Sequence, residues 1–314
     1  MNFETLNIYD RLLIQVELEP VQGTRFQPTG FPDLGPATYT TADGKQMILV
    51  ESAQSMANRL EAICWDEGNS DWIPVLKGLP YVRVFENENV ITNSILESHR
   101  LNSPYIIESQ DKSFVDKLKT ELGGLERGAV DIAAFVKVIL KYDVGSVLHG
   151  IFLAKKELAG GRLRISRSLS SFIEAENVYI APSGGVKFDR VDPKGDTGKG
   201  FGNVPFHREE FNAERIIAYF NLDVRQIIHY RLGETANRLL IVLAMYKVRK
   251  FLESGLRLRT ACDLKPSSDL VVFSPSDFTI PSIQELESIL PGLIDDATNQ
   301  GLFASPPVTD VLYK

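Results

Sequence analysis

Apolar and polar side chains alternate between residues 12 and 18, which predicts a β-strand with one buried face. A stretch rich in glycine and proline, from Gly23 to Gly44, follows and predicts an excursion from the core. At Ser52 the spacing becomes helical, because Ser52 can cap a first turn and apolar residues then recur along one face as far as Cys64. The chain therefore begins with a strand, a loop and a helix.

Further along, the periodicity predicts a second strand-and-helix group. The longest apolar helical stripe runs from Gly233 to Ser254, and Leu256 to Thr260 predicts a final strand directly after it. Between residues 146 and 192, β-branched residues and glycines predict strands and hairpins with protruding turns. The remaining predicted elements are strands at 81–85, 90–93 and 215–222 and helices at 113–122 and 131–140.

This order of elements predicts an α+β fold. Strand, helix and strands, followed by strands, helix and strand, are compatible with a ferredoxin-like βαββαβ core, which is also the RRM-like arrangement. Neither an internal repeat nor a low-complexity linker divides the chain. We therefore expect a single elaborated domain over residues 1–314, with insertions at approximately 20–50 and 155–207.

The distribution of charge changes this picture. The net charge of −7 by itself argues against a nucleic-acid partner, because proteins that bind nucleic acid usually carry an excess of basic residues. However, residues 141–260 contain 20 Lys and Arg against 13 Asp and Glu, so the middle of the chain is basic and its flanks are acidic. A phosphate backbone responds to charges within a Debye length of about 8 to 10 Å, so a basic middle can bind a polyanion. The alternative interpretation is an ordinary scatter of surface charge.

Composition bounds the class and the compartment. A hydrophobic fraction of 44% is sufficient for a large core. Residues 1–10 lack the pattern of a signal peptide, and no apolar run approaches the length of a membrane span. Cys64 and Cys262 have no Cys or His neighbour at metal-ligand spacing. We expect a cytoplasmic protein without a membrane contact, a disulfide or a zinc site.

The sequence lacks the common catalytic motifs. The nearest approach to a phosphate-binding loop, residues 195–200, has Gly200 where a metal-binding Ser or Thr is required. Neither Gly-x-Ser-x-Gly nor His-Glu-x-x-His occurs. Asp143, Ser146 and His149 lie close in sequence and leave acid–base chemistry open as an alternative. The prediction is a protein without enzyme activity, catalytic residues, cofactor or metal.

Three segments contain side chains suited to nucleic acid. In Gly160–Arg167, arginines alternate with aliphatic residues, which would place guanidinium groups on one face of a strand. Ala181–Arg190 combines a glycine turn with basic residues and Phe188. The third is the helix N-terminus at Ser52, whose free amides favour anions. A soluble edge strand, an ordinary hairpin and a plain helix cap are the respective alternatives.

Six motifs occur in an order that is similar to a known family. The chain resembles the backbone subunit of the type I-G (formerly I-U) CRISPR Cascade, the Csb-one branch of the Cas-seven family in the RAMP superfamily. The resemblance covers roughly residues 50–260. The motifs are ESAQSMANRLE at 51–61, SHRLNSPY at 98–105, HGIFLAK at 149–155, RISRSLSSFIEA at 164–175, PSGGVK at 182–187 and LRLRT at 256–260.

The resemblance implies an RRM-like palm with large inserted thumb and finger elements. Copies of the chain would form a helical filament along a CRISPR RNA, whose exposed bases pair with target DNA in antiviral defence. Other Cascade subunits of Cas-five, Cas-six-like and large-subunit type would join the complex, and a recruited helicase-nuclease would cut the target. Either Gly160–Ser171 or Pro193–His207 could form the thumb. Base stacking on the sheet is not expected, because no Lys/Arg-Gly-Phe signature is present.

The motifs also define the expected contacts with RNA. The candidate residues are Gln54, Ser55, Asn58, Arg59, His99, Arg100, Arg162, Arg164, Arg167, Ser183, Lys187 and Arg190. An alternative hypothesis is a metal-dependent endoribonuclease of the same superfamily that cuts target RNA. Asp189 or Asp192 could supply its carboxylate.

Overall fold

A computed structural model describes residues 9–31 and 33–314; the stretch considered for a signal peptide lies outside them as far as Ile8. The helices are α1 (Ala53–Ala62), α2 (Pro104–Ile107), α3 (Ser113–Leu122), α4 (Ile132–Tyr142), α5 (Val144–His149), α6 (Val224–His229), α7 (Glu234–Ser254) and α8 (Ile283–Asn299). The strands are β1 (Arg11–Pro20), β2 (Gly30–Phe31), β3 (Gly35–Pro36), β4 (Thr38–Thr40), β5 (Gln46–Glu51), β6 (Trp65–Asp66), β7 (Asp71–Trp72), β8 (Tyr81–Glu86), β9 (Asn89–Asn93), β10 (Ile151–Leu153), β11 (Leu163–Ile165), β12 (Leu169–Glu176), β13 (Tyr179–Lys187), β14 (Val204–Asn212), β15 (Arg215–Asp223), β16 (Arg257–Arg259), β17 (Cys262–Pro266), β18 (Val271–Ser274) and β19 (Val308–Leu312).

The fold is mixed α/β around an eight-stranded antiparallel sheet. The strands lie in the order β16-β17-β1-β15-β12-β5-β4, and β18 also pairs with β1. The longest ladders join β15 to β1 and to β12, for example through Leu12↔Leu222 and Ile173↔Ala218. Alternate side chains of β1, from Leu12 to Leu18, are at most 4% exposed. One face of the sheet is therefore covered, as the period-two pattern predicts.

Helices cover that face in two layers. α1 packs against β12, and α7 packs against β15. α8 packs on the other side of α7, so that an unbroken run from Leu239 to Val248 is buried. A helix covered on both sides requires apolar residues around most of its circumference, which explains why apolar residues fill nearly all of this buried run.

Two smaller parts lie beside this core. β8 pairs in parallel with β19 and antiparallel with β9, which forms a three-stranded sheet. β13 and β14 form a long hairpin that continues β12 and β15 beyond the sheet, with residues 188–203 at its end. Most of its side chains are exposed. Among the described residues, no helix is long and apolar enough to cross a bilayer.

The structure confirms the main periodicity predictions and differs from the expectations at three places. Strand β1, helices α1, α3, α4 and α7, and strands β8, β9, β15 and β16 lie where the patterns predict them. The strand prediction is wrong at residues 146–149, which form α5, because the Asp143 carboxylate caps that helix. The strand at 256–260 is not the final one, since β17, β18, α8 and β19 follow it. β12, inside the expected insertion at 155–207, is a strand of the main sheet.

Candidate nucleic-acid interface

A groove of about 680 Å³ opens where the first turn of α1, the turn at Arg100–Asn102 and the β10–β11 hairpin meet. It brings together residues from four of the sequence motifs that lie far apart along the chain. Its lining is Gln54, Ser98, His99, Arg100, Asn102, Pro104, Glu108, His149, Gly150, Ile151, Phe152, Ala154, Lys155, Arg164, Ile165, Ser166 and Arg167.

Arg164 is presented to this groove by the β10–β11 hairpin. It pairs with Phe152 in the register, and its neighbours Leu163 and Ile165 are buried, so alternation directs the Arg164 side chain outward. Within residues 9–31 and 33–314, the Arg164 guanidinium has no hydrogen-bond or ion-pair partner. Its five donors are thus available to an anion.

Arg167 lies deeper in the groove and is partly buried. Its guanidinium donates a hydrogen bond of 2.6 Å to Oε1 of Gln54, whereas its buried Nε has no hydrogen-bond partner among the described residues. Burial lowers the pKa of Arg167, and the nearby Arg100 charge lowers it further. Removing a guanidinium from water without pairing it with a carboxylate costs free energy, and a bound anion would offset that cost.

Lys155 stands at the rim of the groove. Its ammonium pairs with the Glu108 carboxylate, and this pair raises the pKa of Lys155 and lowers that of Glu108. The Lys155 and Glu108 side chains are 41% and 57% exposed, and ion pairs so open to water contribute little to stability. The ammonium can therefore exchange its partner for a phosphate at small cost. Sequence reasoning quoted Lys155 within the HGIFLAK motif but did not select it.

Arg100 has a different role from the one the sequence indicates. Its side chain is 5% exposed and donates hydrogen bonds of 3.1 and 2.8 Å to the two carboxylate oxygens of Glu61, itself 3% exposed. This bidentate pair joins the turn at Arg100 to α1. The Arg100 guanidinium is thus committed within the protein, and His99 is the exposed residue of this turn.

Of the remaining candidates on α1, some bond to a buried carboxylate within the protein and others are exposed. Arg59 and Ser55 both bond to the carboxylate of Glu51, which is fully buried at the end of β5, and Arg259 binds the same carboxylate. They hold α1 against the sheet. Gln54 and Asn58 are exposed and joined by a 2.9 Å hydrogen bond, and Gln54 lines the groove.

Arg162 lies outside β11, which begins at Leu163. Its guanidinium donates hydrogen bonds of 2.9 Å to the backbone carbonyls of Leu125 and Gly128. The expected pair of arginines on one strand face is therefore not formed, because Arg162 anchors the neighbouring loop instead.

Ser183, Lys187 and Arg190 belong to the β13–β14 hairpin and its end, and they do not line the groove. Beside them, the Asp189 carboxylate accepts hydrogen bonds from the amides of Val191, Asp192 and Gly202. These amides lower the pKa of Asp189.

These hydrogen bonds from backbone amides give the Asp189 carboxylate a structural role, because they hold the loop at the end of the hairpin in place. No group of three or more metal-binding side chains occurs within residues 9–31 and 33–314.

Asp143, Ser146 and His149 do not form an acid–base relay. The Ser146 hydroxyl donates to Asp143 at 2.8 Å, and burial, followed by the Glu61 charge, raises the pKa of Asp143 to about 6. Nε2 of His149 lies 3.0 Å from the ammonium nitrogen of Lys247, which is fully buried in α7. Burial and this cation hold the pKa of His149 well below its usual range, so the imidazole remains neutral.

The fold and the groove define an α/β protein with a cationic groove suited to a polyanion. The model of a family described as CRISPR-associated protein GSU0053 matches residues 12–180, more than half of the chain, and the chain belongs to this family. The resemblance to CRISPR-associated proteins is thereby confirmed, whereas the type I-G assignment stays a prediction.

Other comparisons are weaker. No curated protein matches the chain. Two solved chains titled CRISPR RNA-guided surveillance complex, the first of them pre-nicking, are each 14% identical over 92% of this chain and over 88% and 83% of theirs, with TM-scores of 0.41 and 0.39. A crystal structure of Thermofilum pendens Csc2 is 10% identical over 93% and 80%, with a TM-score of 0.32.

Proposed function

We propose that this chain is a non-catalytic subunit that binds the backbone of a CRISPR RNA in the groove. The observation that supports it most directly is the pair Arg164 and Arg167, two guanidinium groups in one groove with no carboxylate partner among the described residues. Membership of a CRISPR-associated family makes guide RNA the natural polyanion.

The local charge of the groove fits this ligand. Its lining contains four Lys and Arg side chains and a single carboxylate, Glu108. Arg100 is already balanced by Glu61, which leaves Arg164, Arg167 and the exchangeable Lys155 as cations for phosphate. The net charge of −7 for the whole chain thus does not describe the surface that the ligand meets, since a cleft focuses the charges that line it.

The order of elements supports an RRM-like palm within a single elaborated domain. β1, α1, β12, β15, α7 and β17 follow one another as a βαββαβ series, and their four strands lie side by side as β17-β1-β15-β12. The segment between β1 and β5 and the β13–β14 hairpin are then the insertions. In this proposal the hairpin is the thumb, because it projects beyond the sheet, while the 160–171 segment buries Leu163, Ile165 and Leu169 and leads into β12 of the main sheet.

Exposed apolar side chains on the hairpin favour a protein or nucleic-acid contact there. Phe188 is 78% exposed, Val191 94% and Phe201 54%. A two-stranded hairpin with uncovered apolar side chains is only marginally stable alone, so a neighbour in an assembly would stabilise it. We therefore include in the proposal a helical filament of copies in the cytoplasm. Target DNA would pair with the guide, and further Cascade subunits and a helicase-nuclease would bind the filament.

Binding of single-stranded RNA to the purified chain tests this function. The logarithm of the affinity should fall linearly with the logarithm of the salt concentration, by about 0.7 for each phosphate contact. Arg164→Ala should weaken binding roughly tenfold, which is the loss of one charge-assisted hydrogen bond. Lys45→Ala, which removes an exposed cation in the turn before β5, is the control. An affinity that ignores salt, or an Arg164→Ala variant that binds like the control, would contradict the proposal.

A further inference from the structure

A second and larger cavity adjoins the groove. It measures about 930 Å³ and lies between the N-terminal end of β1, the start of α4 and helix α6. Nε2 of Gln226, which lines this cavity, donates a 2.8 Å hydrogen bond to the backbone oxygen of Ser166, which lines the groove. A side-chain hydrogen bond therefore links the walls of the two spaces.

The loop anchored by Arg162 connects the same two spaces on another side. Arg162 binds the carbonyls of Leu125 and Gly128, and the chain then runs directly to Val130 and Asp131 in the wall of the cavity. Arg162, two residues before the groove's Arg164, thus holds in place a loop that shapes the cavity.

Most charges in the cavity wall are balanced within the protein. Arg11 pairs with Asp223 at 3.2 Å, and Arg225 pairs with Asp10 at 2.8 Å. The Asp131 carboxylate caps α4 by accepting a 3.0 Å hydrogen bond from the amide of Ala134. Two ion pairs and one helix cap thus engage these five side chains, which carry two positive and three negative formal charges.

Arg231 is the exception. It is exposed, and its guanidinium has no hydrogen-bond or ion-pair partner in the part of the chain that the structure describes. It lines the 930 Å³ cavity and also a 580 Å³ cavity beyond it, so it stands on the ridge between the two. Its φ of +54° is left-handed, an uncommon conformation for a residue other than glycine and one that recurs at binding sites.

We propose that a single strand of nucleic acid leaves the groove across Ser166 and Gln226 and enters this cavity, where Arg231 binds a backbone phosphate. The inference rests on the proposed function and extends it, because one subunit then holds the strand at two places. The exposed His229 lies on the path between them, beside Gln226, whose amide nitrogen already donates to Ser166 and Tyr230.

The test measures binding of an oligo-uridine RNA of about twelve nucleotides, a length within the range that one domain can cover. Arg231→Asn removes the charge with a residue that tolerates the left-handed conformation. We expect roughly five- to tenfold weaker binding, a salt slope smaller by about 0.7, and one strand bound per protein. Lys45→Ala is again the control and should leave the affinity and the salt slope unchanged.

The outcomes separate this inference from the function on which it rests. If Arg164→Ala weakens binding and Arg231→Asn does not, or if two strands bind each protein, the inference is wrong and the proposed function stands. If neither variant differs from the control, the proposed function fails as well. Should Arg231→Asn fold poorly, cross-linking of 4-thiouridine RNA to the unaltered protein decides the question. Cross-links to residues 225–231 are expected, and their absence beside cross-links to the groove contradicts the inference.

Discussion

Removal of the buried Arg100 guanidinium should destabilise the fold rather than merely weaken RNA binding. In Arg100→Met, the Glu61 carboxylate loses both of its hydrogen bonds from Arg100 and stays buried near the Asp143 carboxyl group, which already feels its charge. A buried carboxylate deprived of its partner has neither water nor a counter-charge.

The structure allows a magnitude. Both side chains of the pair are at most 5% exposed, so little solvent screening applies. Breaking such a pair by removing one partner costs about 3 to 5 kcal/mol. The double variant Arg100→Met with Glu61→Met should lose less than the sum of the two single variants, because no unpaired charge remains.

Urea unfolding, followed by the fluorescence of the buried Trp65 and Trp72, measures these free energies. Arg164→Ala is the matched control, since Arg164 is exposed and should change the free energy of unfolding by no more than about 0.5 kcal/mol. If Arg100→Met unfolds within about 1 kcal/mol of the unaltered protein, or if the double variant shows no coupling, the assignment of Arg100 as an internal brace is wrong.

Three further predictions follow. Burial raises the pKa of Asp143 to about 6 from 3.8, so the folded protein binds this proton more tightly. The free energy of unfolding should therefore fall by about 2 kcal/mol from this group between pH 4 and 6. The difference in unfolding free energy between the protein and Asp143→Asn should show that slope, and a flat difference would refute it. Arg162→Ala should speed hydrogen exchange at residues 125–130, measured by mass spectrometry, and unchanged exchange would contradict the anchoring role. Complementary RNA incubated with the guide-bound chain and Mg²⁺ should stay intact on a denaturing gel, whereas cuts that disappear in Asp189→Ala would favour the nuclease.

Local periodicity predicted most of the central fold. The alternation in β1 and the apolar circumference of α7 are signals that a single segment contains, and both elements lie where expected. α5 was missed because it has six residues and depends on its cap at Asp143. α8 had a readable signal, the capping box of Ser282 and Glu285, but Pro291 interrupts its pattern. Most of the helices that the sequence failed to predict are therefore short or depend on a cap.

The candidate site shows more clearly what a sequence cannot predict, namely the tertiary partners of its charged side chains. Sequence motifs selected Gln54, Arg164 and Arg167, which the fold brings into one groove. They could not show that Arg59 and Arg100 face buried carboxylates, because those partners are set by tertiary packing. An arginine is equally compatible with a phosphate outside or a glutamate inside until the three-dimensional neighbours are known.

Binding of RNA in the groove is tested most directly by an electron cryo-microscopy map of this chain assembled with a CRISPR RNA. We expect RNA backbone density in the groove, with phosphates within hydrogen-bond reach of Arg164 and Arg167. RNA running along another surface, such as the uncovered face of the main sheet, with the groove empty or filled by protein, would contradict it.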